Sequence, residues 1–166
     1  ALVSAKTLAV SDALHFADSI SASRVIYNQN PNLKAISDFG SGAGFPGVVF
    51  GMLYPGVQVT LVESDTKKAE FLNGLIAKFK LANVTVLNKT VETLPENSVQ
   101  VAMTRGFSSI SKTILSSRRC VVKGGILYHL KGEEWGIELG AIPTQLCSIW
   151  SPALVGEYKL PIGAIK

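Results

Sequence analysis

Asp38-Phe39-Gly40-Ser41-Gly42-Ala43-Gly44-Phe45-Pro46-Gly47 decides the fold. Lys34 to Phe39 reads as a short buried strand, and Val48, Val49, Met52 and Leu53 mark a helix that Pro55-Gly56 stops. A strand that enters a helix through glycines can turn sharply and bring its backbone close to a ligand, because no Cβ stands in the way. Gly42 to Gly47 also fits the dinucleotide spacing G-x-G-x-x-G, so an NAD-dependent oxidoreductase stays open on this stretch alone. Two residues favour S-adenosylmethionine. Asp38 stands two residues before the first glycine, where a carboxylate opposes a pyrophosphate and suits sulfonium and ammonium charge. Pro46 stiffens the helix start at which phosphate-cradling N–H groups would be wanted.

The rhythm continues on both sides. Val57 to Val62 reads as a second strand ending at Glu63, and Ser64 or Asp65 caps a helix with Phe71, Leu72, Leu75, Ile76 and Phe79 at three- and four-residue steps. Val84 to Leu87, Val99 to Thr104 and Ile126 to Leu130 give three more strands, with a helix from Ile110 to about Arg119 between the last two. A short Trp135/Leu139 segment follows. Gln145 to Trp150 and Glu157 to Ile165, joined through Pro152 and Gly156, read as an antiparallel pair at the sheet edge. Upstream, the Ser11 hydroxyl is placed to cap Asp12-Ala13-Leu14 and open an amphipathic helix running to about Tyr27, before a break at Asn28 to Asn32.

Strands alternating with helices imply a parallel sheet covered on both faces. The expected fold is α/β: the Rossmann-like class I fold of S-adenosylmethionine-dependent methyltransferases, mostly parallel with an antiparallel C-terminal edge pair. A single domain spans 1–166, with residues 1–33 an N-terminal helical segment. A start without methionine and an end in mid-strand read as truncation at both ends.

Composition narrows the classes. With 166 residues, the chain has room for one full core but not for two ordinary domains. It is 47% hydrophobic and only 17% charged, which is globular. No apolar run approaches the ~20 residues of a bilayer span, so no membrane partner is expected. Cys120 and Cys147 have no further Cys or His at ligand spacing, which argues against a metal site or disulfide framework and suits a reducing cytoplasm. A net charge of +4 suits a polyanionic partner. Lys67-Lys68, Arg118-Arg119 and Lys123 could grip phosphates, although such groups are more often solvated helix faces. The aromatic residues are too scattered for a base-stacking platform, and the expected state is a monomer.

Ligands of open parallel sheets bind beyond the carboxyl ends of the strands. Those ends carry Asp38, Glu63, Glu92, Thr104-Arg105 and Lys131. A carboxylate at Glu63 accepts hydrogen bonds from ribose hydroxyls in either nucleotide class. The convergence predicts a negative cofactor half (Asp38, Glu63, Glu92) beside a positive substrate half (Arg105, Lys131). Each residue alone also fits a strand meeting solvent, and Arg105 a structural salt bridge to Glu92 or Asp38. His15 and Asp18 share a helix face, which alone reads as a satisfied polar pair.

The sequence resembles the RsmG (GidB) methyltransferases, which methylate guanine N7 in small-subunit (16S) ribosomal RNA. The resemblance rests on His15-Phe16-Ala17-Asp18-Ser19, Asp38 through Gly47, and Leu61-Val62-Glu63-Ser64 followed by Lys67-Lys68 and Phe71-Leu72. It continues through Val91-Glu92, Thr104-Arg105-Gly106-Phe107 and Leu130-Lys131-Gly132. Glu63 departs from a frequent Asp, Thr90 beside Lys89 from a usual Arg, and Gly106 from a usual Ala. The resemblance implies S-adenosylmethionine as cofactor, S-adenosylhomocysteine as product, and 16S ribosomal RNA or the small ribosomal subunit as partner. It implies that Asp38, Gly40, Ser41, Gly42, Gly44, Phe45 and Pro46 hold the methionine part, Glu63 the ribose, and the backbone at Val91-Glu92 the adenine. The helix bearing His15 and Asp18 would cover the pocket, and Arg105, at the cofactor's edge, would act with Lys131 as the catalytic pair that orients the RNA. Guanine N7 already holds an in-plane lone pair, so the chemistry needs alignment and no base. Neither an Asn/Asp-Pro-Pro-Tyr-like tetrad nor a Pro-Cys after the fourth strand is present, and Arg105 suits guanine O6 or a phosphate.

Overall fold

The computed structural model describes residues 12–160. Five strands, β1 (Ala35–Phe39), β2 (Gln58–Val62), β3 (Val84–Leu87), β4 (Val99–Arg105) and β5 (Val121–Leu130), form one sheet in the order β3-β2-β1-β4-β5. Every pairing is parallel. Successive side chains of a strand point to opposite faces, and here both faces are apolar. Ile36, Val59, Leu61, Val101 and Met103 join one core cluster with Ile26, Val48, Phe50 and Leu72. Their neighbours Phe39, Val62 and Ala102 join a second with Val91, Leu94, Cys120 and Val121.

A π-helical turn, Asp12–Ala17, leads into α1 (Asp18–Gln29). The proposed Ser11 cap lies outside the described residues. The other helices are α2 (Gly47–Leu53), α3 (Thr66–Phe79), α4 (Ile110–Ser117), α5 (Trp135–Gly140) and α6 (Thr144–Cys147). Of the two candidate caps for α3 it is Asp65 that acts, its Oδ1 accepting from the Lys68 N–H at 3.0 Å. The sheet covers only part of the apolar stripe of α3: Leu72 is fully buried, whereas Phe71 and Phe79 are 36% and 48% exposed.

Two expectations are corrected. β5 begins at Val121, not Ile126, because Gly124, at φ +79°, lets the strand bulge and resume. The register accordingly jumps from Val99↔Val121 to Val101↔Ile126. The antiparallel edge pair is absent among the described residues. The first member instead opens inside α6 (Thr144–Cys147), with the Pro143 carbonyl accepting from the Leu146 N–H at 2.8 Å. Neither the joining residues 151–156 nor Glu157 to Leu160 of the second form a ladder. Pro152 has no N–H to give a ladder, and the segment's bonds go to α1 instead. Pro161 to Ile165 lie outside the described residues.

This order fixes where a ligand can enter. The chain winds outward from β1 through β2 and β3, then crosses back so that β4 lies on the other side of β1. Connections leave in opposite directions at that point, which opens a crevice beyond the carboxyl ends of β1 and β4. Phe39-Gly40 and Arg105-Gly106 stand at its two lips.

Candidate active site

The glycine turn is built from backbone bonds that only glycine tolerates easily. Gly40, Gly42 and Gly44 have φ of +73°, +54° and +95°. Gly40 and Ser41 N–H donate to the Val62 carbonyl at 2.9 and 3.2 Å, tying the end of β1 to the end of β2. Gly44 N–H donates to the Ser41 carbonyl at 2.7 Å, and the Ser41 hydroxyl to the Asp38 carbonyl at 2.9 Å. At Gly40 a Cβ would stand 2.4 Å from Cδ2 of Phe107, so that ring closes one side. At Gly42 a Cβ would meet nothing nearer than a carbonyl at 3.8 Å. The face of Gly42 is open, and Pro46 is buried at the start of α2.

The three acids expected to form one negative half take three different positions. Asp38 is fully buried under the turn, its Oδ2 accepting from the Gly47 N–H at 3.1 Å. Its Oδ1 has no hydrogen-bond partner, and burial pushes the carboxyl up to about 7 against the Gly47 hydrogen bond and the nearby Ser41 hydroxyl. Glu63 is 5% exposed and spans two loops, with Oε2 accepting from Gly42 N–H and Oε1 from Asp65 N–H, both at 2.8 Å. Each oxygen keeps a lone pair for a ribose hydroxyl. Glu92 follows buried Val91 in a 3-10 turn, and hydrogen bonds from Ser116 and Thr90 hold its carboxyl below the usual range. It faces α4, leaving the backbone of Val91-Glu92 as the part available to an adenine.

At the other lip, Arg105 gathers the N-terminal helix. Its Nε donates to Asp18 Oδ2 at 2.8 Å, and one Nη lies 3.1 Å from His15 Nδ1. His15 stacks on Phe45 of the glycine turn, with centroids 5.4 Å apart, while Phe16 meets Phe45 edge-on at 4.8 Å. The adjacent rings of His15 and Phe16 therefore form one corner with Phe45, 29 residues downstream of Phe16. Burial and the neighbouring guanidinium lower the His15 pKa, which favours the neutral ring. The salt bridge open for Arg105 in the sequence is real, but it runs to Asp18 instead of Glu92 or Asp38. Lys131 is also engaged: Nζ donates to the Ser108 carbonyl at 2.7 Å and pairs with Glu138 Oε2 at 2.9 Å.

The family profile described as GidB, rRNA small subunit methyltransferase G, matches residues 1–149. The chain belongs to that family. Ribosomal RNA small subunit methyltransferase G 3 of Bdellovibrio bacteriovorus is 62% identical over 165 residues, covering 99% of this chain and 75% of its own. The methyltransferase G of Burkholderia thailandensis is 35% identical over 133 residues, covering 74% and 58%. The chain thus spans 75% of one relative's length and 58% of the other's. Among solved structures, coclaurine N-methyltransferase bound to N-methylheliamine and S-adenosylhomocysteine superposes with a TM-score of 0.55 at 18% identity, over 67% of this chain and 34% of that one. A methyltransferase from Aquifex aeolicus described as S-adenosylmethionine-dependent gives 0.51 at 18%, over 68% and 62%. At such identities the likeness is one of fold, and that fold is the methyltransferase Rossmann type.

As a methyltransferase G family member the chain sets aside the oxidoreductase alternative left by the glycine spacing. Several contributors to its site were missed in the sequence. Asn88 donates to the Glu63 and Ser64 carbonyls at 2.8 and 3.1 Å, and its place one residue past β3 is a rim position that the strand-end rule covers. Glu138 accepts from the Ile110 N–H at 2.9 Å as well as from Lys131. Tyr158 reaches Asp18 Oδ1 at 2.6 Å from 140 residues away, a pairing with no local signal. No helix among the described residues is long and apolar enough to cross a membrane, and no three His, Cys, Asp or Glu side chains group there as metal ligands.

Proposed function

We propose that this methyltransferase G family member transfers a methyl group from S-adenosylmethionine to guanine N7 of 16S ribosomal RNA, as a cytoplasmic monomer acting on the RNA or the small subunit. One observation carries the reading. The open face of Gly42, the Glu63 carboxylate and the His15–Asp18–Arg105 group converge on the rim where β1, β2 and β4 end.

The residues present fit the cofactor. The partnerless Oδ1 of buried Asp38 leaves beneath the turn a carboxyl whose ionised form a cationic ligand would favour. Glu63 is held rigid for ribose, and the Gly42 backbone can be approached closely. Bound there, the cofactor supplies an electrophilic methyl on a sulfonium. Arg105, fixed by Asp18, would orient the base or its phosphate, and Lys131 would support that lip through the Ser108 carbonyl. No residue is required as a base, because N7 carries its lone pair already, so the protein's contribution is alignment.

Transfer of labelled methyl to deproteinised small-subunit RNA and to the isolated subunit, followed by nucleoside digestion, tests this. Labelled 7-methylguanosine is expected, and label in adenine or cytosine would reject the assignment. In the same assay Arg105→Ala should reduce turnover at least about tenfold, the scale of one lost charged hydrogen bond, while keeping S-adenosylhomocysteine affinity within about twofold. Equal loss of both would move Arg105 to the cofactor half.

A further inference from the structure

Residues 151–160 form no helix or strand, yet they are seated on α1 at three points. Gln29 Nε2 donates to the Val155 carbonyl at 3.3 Å. At Gly156 a Cβ would come within 2.9 Å of Val25 Cγ1, so the segment's backbone abuts the helix there. The Tyr158 hydroxyl donates to Asp18 Oδ1 at 2.6 Å. Gln29, Val25 and Asp18 are four and seven residues apart, one face of a helix, and the segment runs back along it towards its start.

That last contact reaches the candidate site. Asp18 divides its oxygens between two donors, Oδ1 for Tyr158 and Oδ2 for Arg105 Nε at 2.8 Å. A guanidinium has no acceptor, so His15 Nδ1, 3.1 Å from Arg105, must accept, which puts the ring proton on Nε2. His15 in turn stacks on Phe45 of the glycine turn. The Asp18 and Arg105 side chains are only 15% and 22% exposed, so this pair is screened less than a surface ion pair. A carboxylate gripped at one oxygen can rotate. Gripped at both, it holds one orientation, and its Oδ2 together with His15 Nδ1 gives the guanidinium two fixed points.

We propose that Tyr158 is a positioning residue for Arg105: its hydroxyl fixes the Asp18 carboxylate, which fixes the guanidinium at the crevice. The C-terminal strap thereby completes the substrate side of the site. This role rests on the reading that Arg105 serves methyl transfer to RNA.

The test uses the whole chain with Tyr158→Phe, which keeps the ring and its packing and removes only the hydroxyl. Turnover on small-subunit RNA should fall about fivefold to tenfold, part of the worth of a hydrogen bond to a charged group, with S-adenosylhomocysteine affinity unchanged. Adding Tyr158→Phe to Asp18→Asn should cost nothing more, because the two act through one carboxylate. A second readout is independent of activity. The chain has two histidines, so two imidazoles can be followed by NMR titration. His15, facing Arg105, Asp18 and Phe45, should shift its titration in Tyr158→Phe, while His129 on β5 should not. Unchanged turnover, or additive losses in the double variant, would overturn the positioning role. So would a fall in turnover with no change at His15. If the wild-type protein transfers no methyl, the functional reading fails and takes this role with it, whereas the His15 titration still shows whether the relay exists.

Discussion

Burial holds the Asp38 carboxyl near pH 7, against an unfolded value of 3.8. Because the folded value is raised, the protonated carboxyl favours the folded chain. That contribution is complete below about pH 4 and is lost as pH rises through about 7, and a shift of this size is worth up to about 4 kcal/mol. Asp38→Asn keeps an acceptor for the Gly47 N–H and should flatten the dependence, melting near the wild type at pH 4 and higher at pH 8. A constant difference across that range would contradict it. A sulfonium favours the ionised carboxyl, so the ratio of S-adenosylmethionine to S-adenosylhomocysteine affinity should rise between pH 6 and 8 in the wild type and stay flat in the variant, as calorimetry can measure. Two glycines of the same turn should separate folding from binding. Gly42→Ala strains a residue at φ +54° by about 1–2 kcal/mol and places its methyl in the open face, so affinity should fall further than stability. Gly47→Ala drives a methyl to 2.3 Å from Leu61 Cδ2 and 2.5 Å from Asp38 Oδ2, and should lower the melting temperature well before binding is measured.

Between elements, Lys131 and Glu138 tie the end of β5 to α5, and Glu138 carries the tie to α4 through the Ile110 N–H. The pair is partly exposed, 15% and 33%, so its worth is near 1 kcal/mol. Glu138→Ala should lower the melting temperature by about 2–4 °C and raise hydrogen exchange in residues 135–140, with cofactor affinity unchanged. No change in exchange would mean that α5 is held by other contacts. Such ties mark the limit of what this sequence discloses. Four of the parallel strands and the second half of β5 were legible because each is a short apolar run closed by a turn or a helix cap, as at Pro55-Gly56 and Asp65. The glycine turn and Glu63 were legible because their chemistry is local. The segment ending at Tyr158 was not, since alternation of apolar residues is the same in an edge strand and in an extended strap, and only packing on α1 distinguishes them. Arg105 was found as a rim residue but given the wrong partners, because Asp18 lies 87 positions upstream and nothing local connects them.

For the molecule as a whole, the net charge of +4 matters less than its distribution along the sheet axis. Lys67 and Lys68 open α3, which begins at the carboxyl ends of the strands beside Glu63. Arg118 and Arg119 follow α4, and Lys123 lies near the start of β5, at the opposite end of the sheet. Arg119 is engaged with Glu96, its Nε donating at 3.1 Å. The basic groups that looked equivalent in sequence are therefore separated by the length of the strands, and only the first is near the crevice. RNA that enters the crevice should contact that end alone. Each phosphate contact contributes about 0.7–0.9 to the slope of log affinity against log salt. Replacing Lys67 and Lys68 with alanine should reduce the slope for small-subunit RNA by up to about 1.4–1.8, because two cations are lost. Replacing Arg118 and Lys123 should leave it unchanged, and S-adenosylhomocysteine affinity should hold in both double variants. Equal reductions would mean that the RNA wraps both ends, and the site at the carboxyl ends of β1 and β4 would then bear only part of the recognition.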